Sequence, residues 1–144
     1  MLVRNGTLDE ALQVLQDVDE LAQDRARASY QSRLDGRRHL VLVAEQGNRL
    51  VGFKVGYELD PELFYSWIGG IHPGHRRQGI AQALLQTQHR WAASEGYRRI
   101  QVKTSMAFPQ MRALLQRNGY QLLAEQAGRL LYQVVLAAPG QRRR

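Results

Sequence analysis

The stretch of sequence that decides the fold runs from Trp67 to Leu85 and reads WIGGIHPGHRRQGIAQALL. Its first half is an apolar, strand-like run that passes through His72 and Pro73 into a basic loop. Its second half begins with small residues and continues with the apolar spacing of a helix. The stretch therefore predicts a strand, a loop and a helix in direct succession.

The loop has the composition of an anion site. The first turn of a helix leaves backbone N–H groups without intrahelical partners and carries the positive end of the helix dipole. Arg76 and Arg77 add positive charge, and Gly79 and Ala81 are small enough for an extended ligand to approach the backbone. We therefore expect a pyrophosphate to bind at residues 76–81.

The length of 144 residues is typical of one domain. We expect a single domain over residues 1–137 and a basic, disordered tail at residues 138–144. The longest apolar run, at residues 40–44, is too short to cross a membrane, and the first residues carry charge where a signal peptide is hydrophobic. The sequence predicts a cytoplasmic protein without membrane contact.

The composition excludes several classes of chemistry. The chain has no cysteine, which excludes disulfides, thiolate metal sites and a cysteine nucleophile. Its formal charge is +7, and removal of the three arginines at residues 142–144 would leave +4. Nucleic-acid binding through the arginines is disfavoured, because aromatic side chains do not alternate with them. A small polyanionic ligand suits this balance better.

The remaining elements follow from periodicity and from turn residues. Thr7 and Glu10 have the spacing of a capping box, and Gly47-Asn48 is typical of a hairpin turn. The predicted order is helix, helix, three strands, helix, strand, helix and two strands, which predicts an α/β sandwich with helices on both faces. The predicted helices cover residues 7–22, 24–35, 79–94 and 109–119, and the predicted strands cover residues 39–45, 49–58, 64–71, 99–103, 120–124 and 130–136.

The chain resembles the GNAT superfamily of N-acetyltransferases over most of its length. The diagnostic pattern of that family is Arg or Gln, two residues, Gly, one residue, and Gly or Ala, after a strand that ends near a proline. Arg76, Gly79 and Ala81 match this pattern, and Gly119-Tyr120 stands where the family usually has Gly-Phe. The resemblance implies a mixed, mostly antiparallel sheet flanked by helices on both faces.

The resemblance also implies the reaction. The expected function is transfer of an acetyl group from acetyl-CoA to a primary amine of a small molecule or peptide, by direct attack on the thioester and without a metal. The backbone N–H of Ile71 would stabilise the oxyanion, and the pantetheine arm would follow the strand ending there. A homodimer through the final strands is common for this resemblance. The implied cofactor-binding residues are Ile71, His72, Arg76, Arg77, Gln78, Gly79, Ile80 and Ala81, with Arg112 or Arg117 as further candidates for phosphate contacts.

The acceptor half departs from the family pattern. Trp67 stands where the family often has a glutamate base, Phe108 where it has an asparagine, and Leu115 where it has a tyrosine acid. Either water carries the proton of the amine, or other residues do so. An alternative function is therefore a CoA-binding domain with little or no catalysis.

Tyr65 and Ser105 are the candidate side chains for catalysis, and Tyr65 and Trp67 are candidates for substrate binding. Tyr65 is also explained as a packed aromatic, and Ser105 as a helix cap. Glu58, Asp60 and Glu62 are either distant bases or solvated loop carboxylates.

Histidines and acidic residues outside the motif allow simpler explanations. His72 and His75 lack a third ligand for a metal, so we interpret them as loop histidines near phosphate. We expect His89 to be solvated on the polar side of its helix. An acidic group can attract a cationic amine or form a solvated helix face; its members are Asp17, Asp19, Glu20 and Asp24.

Overall fold

The computed structural model describes residues 1–18 and 27–137. In these ranges, seven strands form one sheet in the order β1-β2-β3-β4-β5-β7-β6. Strands β4 and β5 run parallel, whereas the pairs β1–β2, β2–β3, β5–β7 and β6–β7 are antiparallel. This arrangement confirms the predicted mixed, mostly antiparallel sheet. The elements are β1 (Leu2–Asn5), α1 (Leu8–Leu15), α2 (Arg27–Leu34), β2 (His39–Gln46), β3 (Arg49–Asp60), β4 (Leu63–Ile71), a 3-10 turn (Pro73–His75), α3 (Ile80–Ser94), β5 (Arg99–Ser105), α4 (Pro109–Arg117), β6 (Gln121–Gln126) and β7 (Arg129–Val135).

Strand β1 corrects the predicted order, which began with a helix. Its four residues pair antiparallel with β2, with Val3 opposite Ala44. The Arg4 guanidinium forms ion pairs with Glu10 at 2.6 Å and with Glu45 at 2.5 Å. A strand this short shows no clear periodicity, and its pairing depends on residues about forty positions away.

Helix α1 begins as predicted and ends earlier. The Thr7 hydroxyl accepts from the N–H of Glu10 at 3.1 Å, and the Glu10 carboxylate accepts from the N–H of Thr7 at 3.0 Å. This capping box is confirmed. The helix ends at Leu15, whereas the sequence predicted residue 22, and residues 19–22 lie outside the described ranges. Residues 24–26 of the second predicted helix also lie outside them.

The chain divides into two compact units. The described residues of the first unit lie within Met1–Tyr57 and Ile68–Gln88, and those of the second lie within Glu58–Trp67 and His89–Arg144. The single-domain boundary at residue 137 stays a prediction, and the predicted tail at 138–144 lies outside the described residues.

In the first unit, helices lie on both faces of the β2–β3 hairpin. A Cβ atom added at Gly52 would lie 3.0 Å from side-chain atoms of Ile71 and Ile80, so α3 packs closely on that face. Phe53 points to the opposite face, because successive strand residues alternate. Its cross-strand partner Val43 lies against Gly6, just before α1. The absence of a side chain at Gly52 therefore brings the start of α3 close to the end of β4.

In the second unit, aromatic side chains form the packing centre. The ring centroid of Phe64 lies 5.2 Å from that of Trp91 and 5.3 Å from that of Tyr97. The Tyr97 hydroxyl donates to Glu58 at 2.9 Å, which satisfies its polar atom at the edge of the cluster. No helix in the described ranges is long and apolar enough to cross a membrane.

Candidate active site

The predicted phosphate loop lies in the first unit, between β4 and α3. The N–H of His72 donates to the carbonyl oxygen of Val51 at 2.8 Å, which fixes the loop to β3. Residues 73–75 form a 3-10 turn, which the sequence did not predict. Arg77 and Gly79 have positive φ angles of 64° and 78°, so two residues with left-handed backbone conformation precede the helix.

The first turn of α3 presents unpaired backbone donors. The carbonyl oxygen of Gly79 accepts from the N–H of Ala83 at 3.1 Å, which begins the helical hydrogen bonding. The N–H groups of Gly79, Ile80 and Ala81 donate to no residue in the described part of the chain. A Cβ atom added at Gly79 would meet no atom of the described chain within 4 Å, so the space beside this residue is open. These features fit a pyrophosphate group.

The backbone N–H of Ile71, the predicted oxyanion donor, lies at the end of β4. Successive N–H groups of a strand point to opposite edges, and the N–H of His72 points to β3. The N–H of Ile71 therefore points away from β3. The side chain of Arg76 contacts the end of β4, because its Nε donates to the carbonyl oxygen of Ile71 at 3.4 Å.

Side chains from the β2–β3 hairpin contact the loop, and the sequence did not predict them. Nε2 of Gln46 donates to Oε1 of Gln78 at 3.1 Å. Nη2 of Arg49 lies 2.8 Å from Nε2 of His72. These partners are 32 and 23 residues apart in sequence, and no local signal marks them.

A match to a family model identifies the protein family of this chain. The model of the acetyltransferase (GNAT) family matches residues 8–120 of this chain. The chain belongs to the GNAT family of acetyltransferases. The match covers α1, the phosphate loop and both later helices, and it supports an acyl-CoA-dependent acetyltransferase. A comparison with curated proteins finds no match.

Solved structures share the GNAT fold with this chain. The ribosomal-protein-S18-alanine N-acetyltransferase from Escherichia coli has a TM-score of 0.82 and 15% identity, with 99% of this chain and 98% of that chain covered. The GNAT domain of PAT from S. lividans has a TM-score of 0.78 and 20% identity, with 93% and 89% covered. A GNAT acetyltransferase from Elizabethkingia anophelis with acetyl-CoA bound has a TM-score of 0.75 and 16% identity, with 94% and 97% covered.

The candidate catalytic side chains of this GNAT protein lie in its second unit. Tyr65 is half-buried on β4 and stands opposite Gln101 of the parallel strand β5. Ser105 is the last residue of β5. It lies four residues beyond Gln101, which is a distance of about 13 Å along a strand. The fold therefore separates Tyr65 from Ser105 along the sheet. Ser105 does not cap α4, since its hydroxyl accepts from the N–H of Ala107 at 3.0 Å and the N-cap is Phe108.

The positions that depart from the family pattern have different environments. Leu115 is fully buried, with 0% of its surface exposed, and its side chain has no proton to transfer. Phe108 is 38% exposed at the N-cap of α4 and makes no side-chain capping bond. Trp67 is half-buried on β4.

Contacts within the protein describe the surroundings of the other basic candidates, Arg112, Arg117 and His89. Nε of Arg112 donates to the Tyr132 hydroxyl at 3.4 Å. Arg117 and His89 line a groove of about 720 Å³ in the second unit. His89 is not simply solvated as predicted, because its Nε2 lies 2.7 Å from the hydroxyl oxygen of Tyr120.

The histidines and acidic residues form no metal centre in the described ranges. There, no group of three or more His, Cys, Asp or Glu side chains could hold a metal ion. Nδ1 of His75 lies 3.4 Å from Nδ1 of His72, and Oδ2 of Asp17 lies 3.9 Å from Nε2 of His72. The other acidic candidates, Asp19, Glu20 and Asp24, lie outside the described residues.

The sequence did not predict the burial of two polar residues in the first unit. Lys54 on β3 is 8% exposed, and burial lowers the pKa of its amine to about 8. Gln88 on α3 is fully buried, and neither polar atom of its amide has a hydrogen-bond partner in the described chain. Lys54 lies in the alternating strand run RLVGFKVGYE, where a charged residue usually marks the solvent side.

Proposed function

We propose that this protein transfers an acetyl group from acetyl-CoA to a primary amine of a small molecule or peptide. The observation that carries this proposal is the first turn of α3, where three N–H groups have no partner in the described part of the chain and the space beside Gly79 is open. A diphosphate placed there would accept from these donors and would lie at the positive end of a 15-residue helix.

The donor half of the reaction uses backbone groups and basic side chains. Residues 76–81 would bind the pyrophosphate, with Arg76 and Arg77 exposed beside it. His72 would fix the beginning of the loop, and Gln78 and Ile80 would position its end. The pantetheine arm would follow β4 to Ile71, whose N–H points away from β3.

The acceptor attacks the thioester directly. The amine nitrogen forms a bond to the acetyl carbon, the carbon–sulfur bond breaks, and the thiolate of CoA leaves. The N–H of Ile71 would donate to the carbonyl oxygen as it gains negative charge. The amine must first lose a proton, since a lysine-like amine has a pKa of about 10.4. Water would take that proton to solvent, either directly or through a relay at the hydroxyl of Tyr65 or Ser105, which accepts one proton as it passes its own on. Trp67 would contact the acceptor.

Binding and turnover can be measured separately. We expect CoA and acetyl-CoA to raise the melting temperature, and an amine panel to release the CoA thiol from acetyl-CoA. The panel contains small polyamines, amino acids and peptides with free N-termini. Absence of stabilisation by either CoA species would contradict the proposed site.

A CoA-binding domain with little or no catalysis is the second candidate. Its support is the buried, chemically inert side chain of Leu115 and the aromatic side chains of Trp67 and Phe108. This function predicts stabilisation by CoA without thiol release on any amine. Thiol release that depends on an acceptor would exclude it.

A further inference from the structure

Two contacts of the His72 ring require opposite tautomers. Nδ1 of His72 accepts from the N–H of Gly74 at 3.1 Å, so this nitrogen must be unprotonated. Nε2 of the same ring lies 2.8 Å from Nη2 of Arg49. A guanidinium has only donors, so Nε2 would also have to be unprotonated. A neutral imidazole has one acceptor nitrogen, and the ring therefore cannot satisfy both partners.

Arg49 is the partner that can leave. The N–H of Gly74 belongs to the backbone of the 3-10 turn, two residues from His72. The Arg49 side chain is exposed at the beginning of β3, and its long aliphatic part can reorient. Without Arg49, the proton of Nε2 faces Oδ2 of Asp17, which lies 3.9 Å away. His72 then has an acceptor at Nδ1 and a donor at Nε2.

The Arg49 guanidinium has no carboxylate partner in the described ranges. It lies beside the phosphate loop, because it contacts the residue that joins β4 to the 3-10 turn. The same hairpin also contacts the loop through Gln46 and Gln78. A planar fork of donors matches phosphate oxygens better than it matches an imidazole nitrogen.

We propose that Arg49 binds the pyrophosphate of the cofactor and leaves His72 when the cofactor binds. This inference rests on the proposed function, since it names a further residue of the same phosphate site. It assigns the β2–β3 hairpin a direct part in cofactor binding, beside the backbone amides of residues 76–81.

Calorimetry on the full chain can test this role with three ligands. CoA carries the pyrophosphate and the 3′-phosphate, dephospho-CoA carries only the pyrophosphate, and pantetheine carries neither. We expect Arg49→Ala to weaken CoA and dephospho-CoA roughly tenfold, because a charge-assisted hydrogen-bonded contact is lost, and to leave pantetheine unchanged. Arg49→Lys should give an intermediate loss.

Arg129→Ala is the matched control, since Arg129 is an exposed arginine at the start of β7. It should leave all three affinities unchanged. Equal binding of dephospho-CoA by wild type and Arg49→Ala would overturn the inference. If wild type bound no CoA at all, the proposed function would fail instead, so the two failures are distinguishable.

The tautomer of His72 gives an independent measurement. Long-range ¹H–¹⁵N spectra distinguish the two ring nitrogens, and a His72→Gln variant assigns the signal among the four histidines. With CoA bound, we expect the proton on Nε2 and an unprotonated Nδ1. A proton on Nδ1 in the complex would contradict the release of Arg49.

Discussion

Nδ1 of His72 lies 3.1 Å from the backbone nitrogen of Gly74 and accepts its hydrogen bond. The carbonyl oxygen of His72 also accepts from the N–H of His75 at 2.8 Å. One residue thus fixes the 3-10 turn through its ring and through its backbone. The phosphate loop therefore begins with a 3-10 turn that the side chain and the backbone of His72 already order.

This relationship predicts a difference between two variants of His72. Asparagine can accept from the N–H two residues on, whereas alanine cannot. Both variants lack a contact to Arg49, so their comparison isolates the bond to Gly74. We expect His72→Asn to bind CoA about fivefold more tightly than His72→Ala, which corresponds to one hydrogen bond of about 1 kcal/mol. Equal dissociation constants in titration calorimetry would show that this bond does not order the loop.

Gly79 and Gly128 form a matched pair for testing the phosphate loop. Their φ angles are 78° and 81°, and an added Cβ would meet open space at both. Glutamate at either position should cost about 1–2 kcal/mol of stability, because a left-handed backbone is strained for a residue with a side chain. Like charge beside the pyrophosphate should weaken CoA binding by more than about 100-fold in Gly79→Glu alone.

Urea unfolding measures the strain in the two glycine variants, and calorimetry measures their CoA affinity. Similar unfolding free energies for both variants would show that the fold is intact. Unchanged CoA affinity in Gly79→Glu would refute the assigned pyrophosphate site.

Lys54 predicts an alkaline dependence of stability. Burial lowers its pKa from 10.5 to about 8 in the folded state. Between these two values the unfolded chain binds more protons than the folded chain, so the contribution of Lys54 to stability rises with pH in that window. At pH 7 the buried ammonium destabilises the fold by on the order of 3 kcal/mol.

We therefore expect Lys54→Met to raise the unfolding free energy at pH 7, with a gain that shrinks as the pH rises above about 8. Lys103→Met is the control, because Lys103 is the other lysine of the chain and is exposed on β5. Urea unfolding from pH 7 to 9.5 measures the difference. A gain that does not vary with pH would contradict the lowered pKa.

Glu10 predicts an acid dependence of stability. The hydrogen bond from Arg4 is the largest cause that lowers the pKa of Glu10 from 4.5 to about 2, followed by the bond from the Thr7 N–H. A carboxyl with a lowered pKa stabilises the fold fully above its unfolded value, and this stability is lost as the pH falls from about 4.5 to about 2.

The Glu10→Gln variant keeps the capping box, since glutamine also accepts from the N-cap N–H. It removes the charge that pairs with Arg4. We expect this variant to be less stable than wild type at pH 6 and to approach it near pH 2.5, as measured by urea unfolding. Parallel pH profiles for the two proteins would show that Glu10 is not the group that titrates.

The part of the fold that the sequence predicted rests on local interactions. The capping box of Thr7 and Glu10, the turn at Gly47-Asn48 and the helix begun by Pro109 each involve residues within a few positions. The glycine turn and the helix start of the phosphate loop were predictable for the same reason, whereas its 3-10 turn at residues 73–75 was not. Periodicity and turn residues predicted the element order, except for β1, which is short and pairs with residues of β2 about forty positions away.

Contacts between distant residues could not be predicted. The helical position of His89 predicts a solvated side chain, but the hydroxyl of Tyr120, 31 residues later, contacts its ring. Lys54 lies in a half-polar strand pattern, and only the packing of the sheet and helices buries it. The separation of Tyr65 from Ser105 follows from the parallel register of β4 and β5, which no single strand encodes.

The sequence by itself determined the strand, loop and helix that carry the proposed anion site, because a glycine turn, two arginines and the first turn of a helix are contiguous from Arg76 to Ala81. Only the tertiary structure decided which side chains surround that site. The β2–β3 hairpin brings Arg49 to His72 and Gln46 to Gln78 across 23 and 32 residues. Strand pairing determines such contacts, since it joins segments that are distant in sequence and that no local pattern links.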